Sequence, residues 1–199
     1  YRNPAMILAD GAIGQMMEKV VLPEQRPRRT PEQIAEQCPW AVTGHPQGRK
    51  PNVLTTLELE SPKMEVNNLR FQETYRRIEE NEVRYQEYFT DDAEVLFVAF
   101  GSIARICLKA IEDARAAGIK VGLVRPITLW PFPTRKIAEM SRNVKGMMVV
   151  ELNAGQMIED VRLAVEGRVP VYHYGRMGGC IPNPQEVLQA MQSHFPDMK

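Results

Sequence analysis

The chain has 199 residues, with 44% apolar and 25% charged side chains, the balance of an ordinary globular domain. Lys plus Arg and Asp plus Glu stand at 25 each, so the formal net charge is zero and the basic excess of a polyanion binder is missing. Nucleic acid is therefore not an expected partner. No apolar run approaches the roughly 20 residues of a membrane helix, so no membrane partner is expected either. Cys38, Cys107 and Cys180 lie far apart and form no CxxC, which argues against a zinc or iron–sulfur site built by this chain alone. An odd, sparse cysteine count suits a reducing cytoplasm.

In chain order, Tyr1-Arg2-Asn3-Pro4 runs into the apolar stretch Ala5–Ala9, read as a short strand with nothing before it to pair with. This start predicts a piece of a longer protein. Asp10-Gly11 then leads into a helix expected from Ala12 to Val20. From about Val21 to Pro62 prolines recur without sustained periodicity, which predicts an extended connector. Its Arg26, Arg28 and Arg29 suit either an acidic partner or a solvated basic linker. Phe71, Tyr75, Ile78, Tyr85 and Phe89 follow helical spacing, so a charged helix is predicted from Val66 to Phe89 with one packed face. Glu73 with Arg77, and Glu80 with Arg84, are spaced to pair on its other face.

From Asp91 onward strands and helices alternate. The predicted strands are Val95–Phe100, Ile119–Val124, Met147–Glu151 and Val169–Tyr174. The helices between and after them are Ile103–Ala117, closed by Gly118, then Thr134–Ser141 with Thr134 as cap, Ala154–Val165, and Pro184–Met191. Short joints and near-continuous apolar strands imply a mainly parallel sheet buried on both faces. The expected fold class is α/β, a three-layer sandwich around that sheet with an N-terminal extension.

In such a sheet, ligands and partners meet the carboxyl ends of the strands. The residues placed there are Gly101, Ser102, Arg125, Glu151, Asn153, Gly155, Gln156 and Arg176. They form a candidate rim for a partner or an anion, helped by helix N-termini near Ser102 and Gly155. The bland alternative pairs Arg125 with Glu151 across neighbouring strand ends. Asn153 is read as a helix cap. Asp10 is read as having nothing to hold it. Gly101-Ser102 is not a phosphate loop, and no strand is followed by GxGxxG. His45, His173 and His194 are scattered and read as structural or solvated; Cys107 is read as inert in a helix core. No catalytic residue and no metal ligand is assigned.

Several stretches carry a resemblance. Phe97–Ser102 and Gly118–Pro133 resemble the transketolase C-terminal-like domain. Glu151–Met157, Asp160-Val161-Arg162, Tyr174–Gly179 and Leu8–Glu18 are similar to the alpha subunit of the 2-oxoacid:ferredoxin oxidoreductases, with the 2-oxoisovalerate (3-methyl-2-oxobutanoate) type nearest. The resemblance implies three regions: residues 1–20, the end of a pyrimidine-side thiamine diphosphate domain; 21–65, the proline-rich connector; and 66–199, the transketolase C-terminal-like domain. It implies oxidative decarboxylation of a branched-chain 2-oxoacid to an acyl-CoA, with ferredoxin reduced. Thiamine diphosphate and Mg²⁺ would serve the whole complex, and iron–sulfur clusters would sit on other subunits. The implied partners are a thiamine-diphosphate-binding beta subunit, gamma and ferredoxin-like delta subunits, and ferredoxin, with coenzyme A and the 2-oxoacid as substrates. This chain alone is expected to be inactive and to bind no cofactor. Two alternatives are the matching domain of a thiamine-dependent 2-oxoacid dehydrogenase, and a non-catalytic nucleotide- or coenzyme-A-binding module.

Overall fold

A computed structural model describes residues 1–42, 44 and 50–198. His45 and Pro46 of the connector fall outside the described residues. The chain divides into two compact units, Tyr1–Met16 with Thr74 to the end, and Met17–Glu73.

The first unit holds a five-stranded sheet in the order β1-β3-β2-β4-β5. Its strands are β1 (Tyr85–Tyr88), β2 (Val95–Val98), β3 (Val121–Pro126), β4 (Gly146–Glu151) and β5 (Val171–Gly175). The pairs β2–β3, β2–β4 and β4–β5 are parallel, and β1 joins β3 antiparallel. Side chains of alternate strand residues feed two cores. Val95, Phe97, Leu123, Met148 and Val150 pack with α4 (Gly101–Ala116) and α7 (Pro184–His194). Leu96, Val98, Val124, Met147 and Val149 pack with α5 (Thr134–Met140) and α6 (Met157–Val165). Those two cores explain the unbroken apolar runs: β2 and β4 bury every residue. The result is the expected three-layer α/β sandwich.

The long charged helix is α3 (Ser61–Asn81), and it stops well before Phe89. Tyr85–Tyr88 instead forms the antiparallel edge strand β1, held where Thr128 Oγ1 accepts from Arg84 N at 3.0 Å and Arg84 O accepts from Ile127 N at 2.9 Å. Phe89 has φ +55°, which no helix continues through. Arg84 consequently pairs with Glu82 at 3.1 Å, outside the helix, and not with Glu80.

The opening segment also differs from expectation. Ala5–Ala9 is not a strand, and the first helix, α1, covers only Gly11–Gln15. Thr134 is the first residue of α5, and Pro133, not Thr134, stands at its cap with no side-chain bond. In the second unit the connector contains a helix, α2 (Pro31–Gln37), which the proline count concealed. Pro31 stands in its first turn, where a missing N–H costs nothing. Thr30 and Gln33 close a reciprocal capping box. Further along, Asn52 Nδ2 donates to Pro39 O at 2.7 Å and Ala41 O at 3.0 Å.

Candidate functional site

The carboxyl ends of β2, β3, β4 and β5 carry the sequence-predicted residues, which are bonded in small local groups. The most extensively bonded group is built on Glu151, the last residue of β4. Its side chain is 1% exposed and lies across the N-terminus of α6. The carboxylate accepts from Met157 N at 2.9 Å, Ile158 N at 3.1 Å, Gln156 N at 3.3 Å and Asn153 Nδ2 at 3.0 Å. Asn153 Oδ1 in turn accepts from Gly155 N at 2.7 Å. Arg176 N donates to the Glu151 carbonyl at 3.2 Å, tying in the end of β5.

Asn153 is thus a loop brace, not the helix cap expected of it; Glu151 performs the capping. The physical reason is reach. Helix N-termini attract negative charge, and a strand-end glutamate satisfies several orphan donors where a neutral amide satisfies fewer. Glu151 also does not pair with Arg125. Arg125 Nη1 donates to Gln86 Oε1 at 3.3 Å across the β1–β3 register, since the unforeseen β1 lies beside it.

His173, on β5, points its Nε2 at Glu151 Oε1 from 3.7 Å, beyond hydrogen-bond range, and that nitrogen is buried without a partner. Sequence reasoning treated His173 as unremarkable. Only its register beside Val149, two residues before Glu151, could have flagged it. Gly175 permits the tight junction: a Cβ there would stand 2.2 Å from Asn153 O and 2.5 Å from His173.

The second group lies at α4. Gly101 begins that helix at φ +65°, and the Ser102 hydroxyl donates to the Asp10 carboxylate. Asp10 also caps α1, accepting from Ile13 N at 2.8 Å. Asp10 is therefore held, contrary to expectation. The Ser102 hydroxyl, with the Ile13 N–H behind it, keeps the Asp10 carboxyl below its ordinary range. At the far end of the edge, Arg176 Nη1 meets Glu186 Oε1 at 3.3 Å.

The chemistry of this edge is that of a polar junction whose carboxylates are engaged with the chain itself, with His173 Nε2 left unsatisfied beside it. The α6 N-terminus holds the chain's own carboxylate, which occupies the place of an external anion. Among the described residues no three His, Cys, Asp or Glu side chains gather to hold a metal ion. The Glu151 carboxylate oxygens are taken by the chain's own N–H groups and are not offered to a Mg²⁺–diphosphate.

Comparison with known proteins bears on this geometry. Residues 93–187 match the family model of pyruvate:ferredoxin oxidoreductase core domain II, the stretch holding β2 to β5 and the Glu151 junction. Over 96% of its length the chain is 43% identical to ketoisovalerate oxidoreductase subunit VorB of Methanothermobacter thermautotrophicus. The chain is similar to subunits of the 2-oxoacid:ferredoxin oxidoreductases. A more distant relative is 2-oxoglutarate synthase subunit KorA of Methanothermobacter marburgensis, 28% identical over 94% of the chain. The chain spans about half the length of these curated relatives, 53% of VorB and 56% of KorA.

Solved structures agree on the fold. A 2-oxoglutarate:ferredoxin oxidoreductase from Magnetococcus marinus, with 2-oxoglutarate, coenzyme A and succinyl-CoA bound, superposes at TM-score 0.58 and 16% identity. The match covers 69% of this chain and 24% of that one. A split-gene transketolase, an inactive beta4 tetramer, gives TM-score 0.50 at 19% identity, covering 58% of this chain and 42% of that one. The transketolase-like architecture of the sheet unit is thus shared by oxidoreductase-family and transketolase proteins.

Proposed function

We propose that the chain is the C-terminal part of the alpha subunit of a 2-oxoacid:ferredoxin oxidoreductase acting on a branched-chain 2-oxoacid. The whole enzyme would decarboxylate the 2-oxoacid oxidatively, pass the acyl group to coenzyme A and reduce ferredoxin. The observation that carries this reading is the 43% identity to a ketoisovalerate oxidoreductase subunit across 96% of the chain. In this reading residues 1–20 close a thiamine-diphosphate domain, 21–65 connect, and 66–199 form the transketolase C-terminal-like domain. The chain's own task is assembly. Its polar rim, Gly101, Ser102, Arg125, Asn153, Gly155, Gln156 and Arg176 around the self-capped Glu151, would shape one wall of the complex.

The cofactors belong to the assembled enzyme. Thiamine diphosphate, Mg²⁺ and the iron–sulfur clusters would be held with a thiamine-diphosphate-binding beta subunit and with gamma and ferredoxin-like delta subunits. A cytoplasmic location suits the three unpaired cysteines. Among the described residues no helix is long and apolar enough to cross a membrane. Against the competing module that binds nucleotide or coenzyme A phosphates stands Glu151, which fills one of the two helix starts on this edge, that of α6.

The test is an assay of the complete complex containing this sequence. The expected result is dye reduction dependent on both 3-methyl-2-oxobutanoate and coenzyme A. Turnover that instead requires a lipoyl carrier would move the chain to the thiamine-dependent dehydrogenases.

A further inference from the structure

We infer that β5 is the docking edge for a second copy of this chain, whose own β5 pairs with it antiparallel about a two-fold axis and continues the sheet. An open backbone ladder lies here on a strand whose sequence is self-complementary.

β5 ends the sheet and pairs with β4 alone among the described strands. Met147 N donates to Pro170 O at 3.0 Å, and Arg176 N donates to Glu151 O at 3.2 Å. A parallel strand bonds a neighbour through alternate residues. With those two bonds at its ends, residues 170, 172, 174 and 176 face β4. Val171, His173 and Gly175 therefore turn their backbone N–H and C=O groups outward, where they meet no partner among the described residues.

The opposite edge is guarded, and β5 is not. β1 carries Glu87, which pairs with Lys136 at 3.2 Å, and Gln86, which takes Arg125. Charged side chains on an edge hinder strand addition. β5, Val171-Tyr172-His173-Tyr174-Gly175, holds no Lys, Arg, Asp, Glu or Pro.

The same five residues name the occupant. An antiparallel copy centred on His173 sets Val171 opposite Gly175 of the second copy, and Tyr172 opposite Tyr174. The outward groups then form the hydrogen-bonded pairs. The tyrosines fall in the non-hydrogen-bonded pairs, where side chains approach most closely. Tyr172 is already oriented: its ring stacks on His194 at 4.1 Å and meets Phe195 edge-on at 5.3 Å. Charge is also complementary. The flanking arginines are neutralised within the chain, Arg168 by Glu166 and Arg176 by Glu186, so the two-fold brings no unpaired arginines together. Five paired residues a side cover less than the roughly 800 Å² per partner of a standard interface, so a weak dimer is expected, with Kd on the order of 100 µM.

The experiment is sedimentation velocity of the full chain from about 10 µM to about 1 mM, with residue-resolved amide exchange at both limits. The expected result is a monomer that becomes a dimer across this range. Exchange at Val171, His173 and Gly175 should slow with concentration while Tyr172 and Tyr174 stay unchanged. Val171→Pro removes an outward N–H and spares the β4 ladder, and is expected to raise Kd by about tenfold. Val171→Thr keeps the N–H and should leave Kd unaltered. A monomer at every concentration would overturn the proposal. So would a dimer whose outward amides exchange no more slowly than in dilute solution, or outward amides already protected in the monomer. These readings come from the unaltered chain and need no variant to fold. Protection that arises only when a different subunit is added would also overturn it, by making the occupant another chain.

Discussion

Glu151 shows how one side chain sets the character of the strand edge. Buried at the α6 N-terminus, it answers donors that would otherwise be orphaned. Glu151→Ala leaves buried N–H groups without an acceptor and is expected to cost about 3 kcal/mol, read from urea unfolding. Glu151→Gln keeps one acceptor oxygen and should lose roughly half of that. Gly175→Ala drives a methyl into the Asn153 carbonyl, and an expected loss of about 2 kcal/mol would register in the same experiment. Asp10 gives a pH dependence with a definite sign. Its carboxyl is held low mainly by Ser102, so its contribution is fully present above the ordinary carboxylate pKa of about 4 and is lost as pH falls below its folded value. Exchange in α1 should therefore be flat from pH 5 upward, after correction for intrinsic rate, and accelerate only in acid. Burial pushes the Cys107 thiol far up, whereas Cys180 is exposed. A thiol reagent should label Cys180 rapidly and Cys107 only on unfolding.

The elements differ in how far the sequence discloses them, and burial is the reason. The runs Val95–Val98 and Gly146–Glu151 are apolar on both faces because helices cover both, so no other reading fits their length. Their helices were bounded by clear signals, such as Gly118 with its φ of +84° after α4. The edge strand β1 was hidden. Tyr85 and Phe89 happen to extend the spacing of Phe71, Tyr75 and Ile78, and only pairing with β3 forty residues away decides the matter. Glu151 was legible as a strand-end residue, but not as a cap. Its donors lie five to seven positions onward, across a loop whose course the sequence does not specify. The Thr128 hydroxyl belongs to this same long-range class. Thr128→Val should fray β1, with faster exchange at Tyr85–Tyr88 and a loss of about 1 kcal/mol, leaving β2 and β4 protected.

At the scale of the whole molecule we propose that this chain supplies a scaffold and that the cofactors are held elsewhere in the assembled enzyme. The carboxylates at its strand edge are engaged with the chain itself, Glu151 with α6 and Asp10 with Ser102 and α1. A diphosphate bound through Mg²⁺ needs free oxygen ligands on a preorganised turn. The direct measurement is calorimetric titration of the purified chain with thiamine diphosphate and Mg²⁺, followed by a 2-oxoacid-dependent dye assay. The expected result is no saturable heat at micromolar concentrations and no turnover. Micromolar, Mg²⁺-dependent binding, or dye reduction by this chain alone, would contradict it.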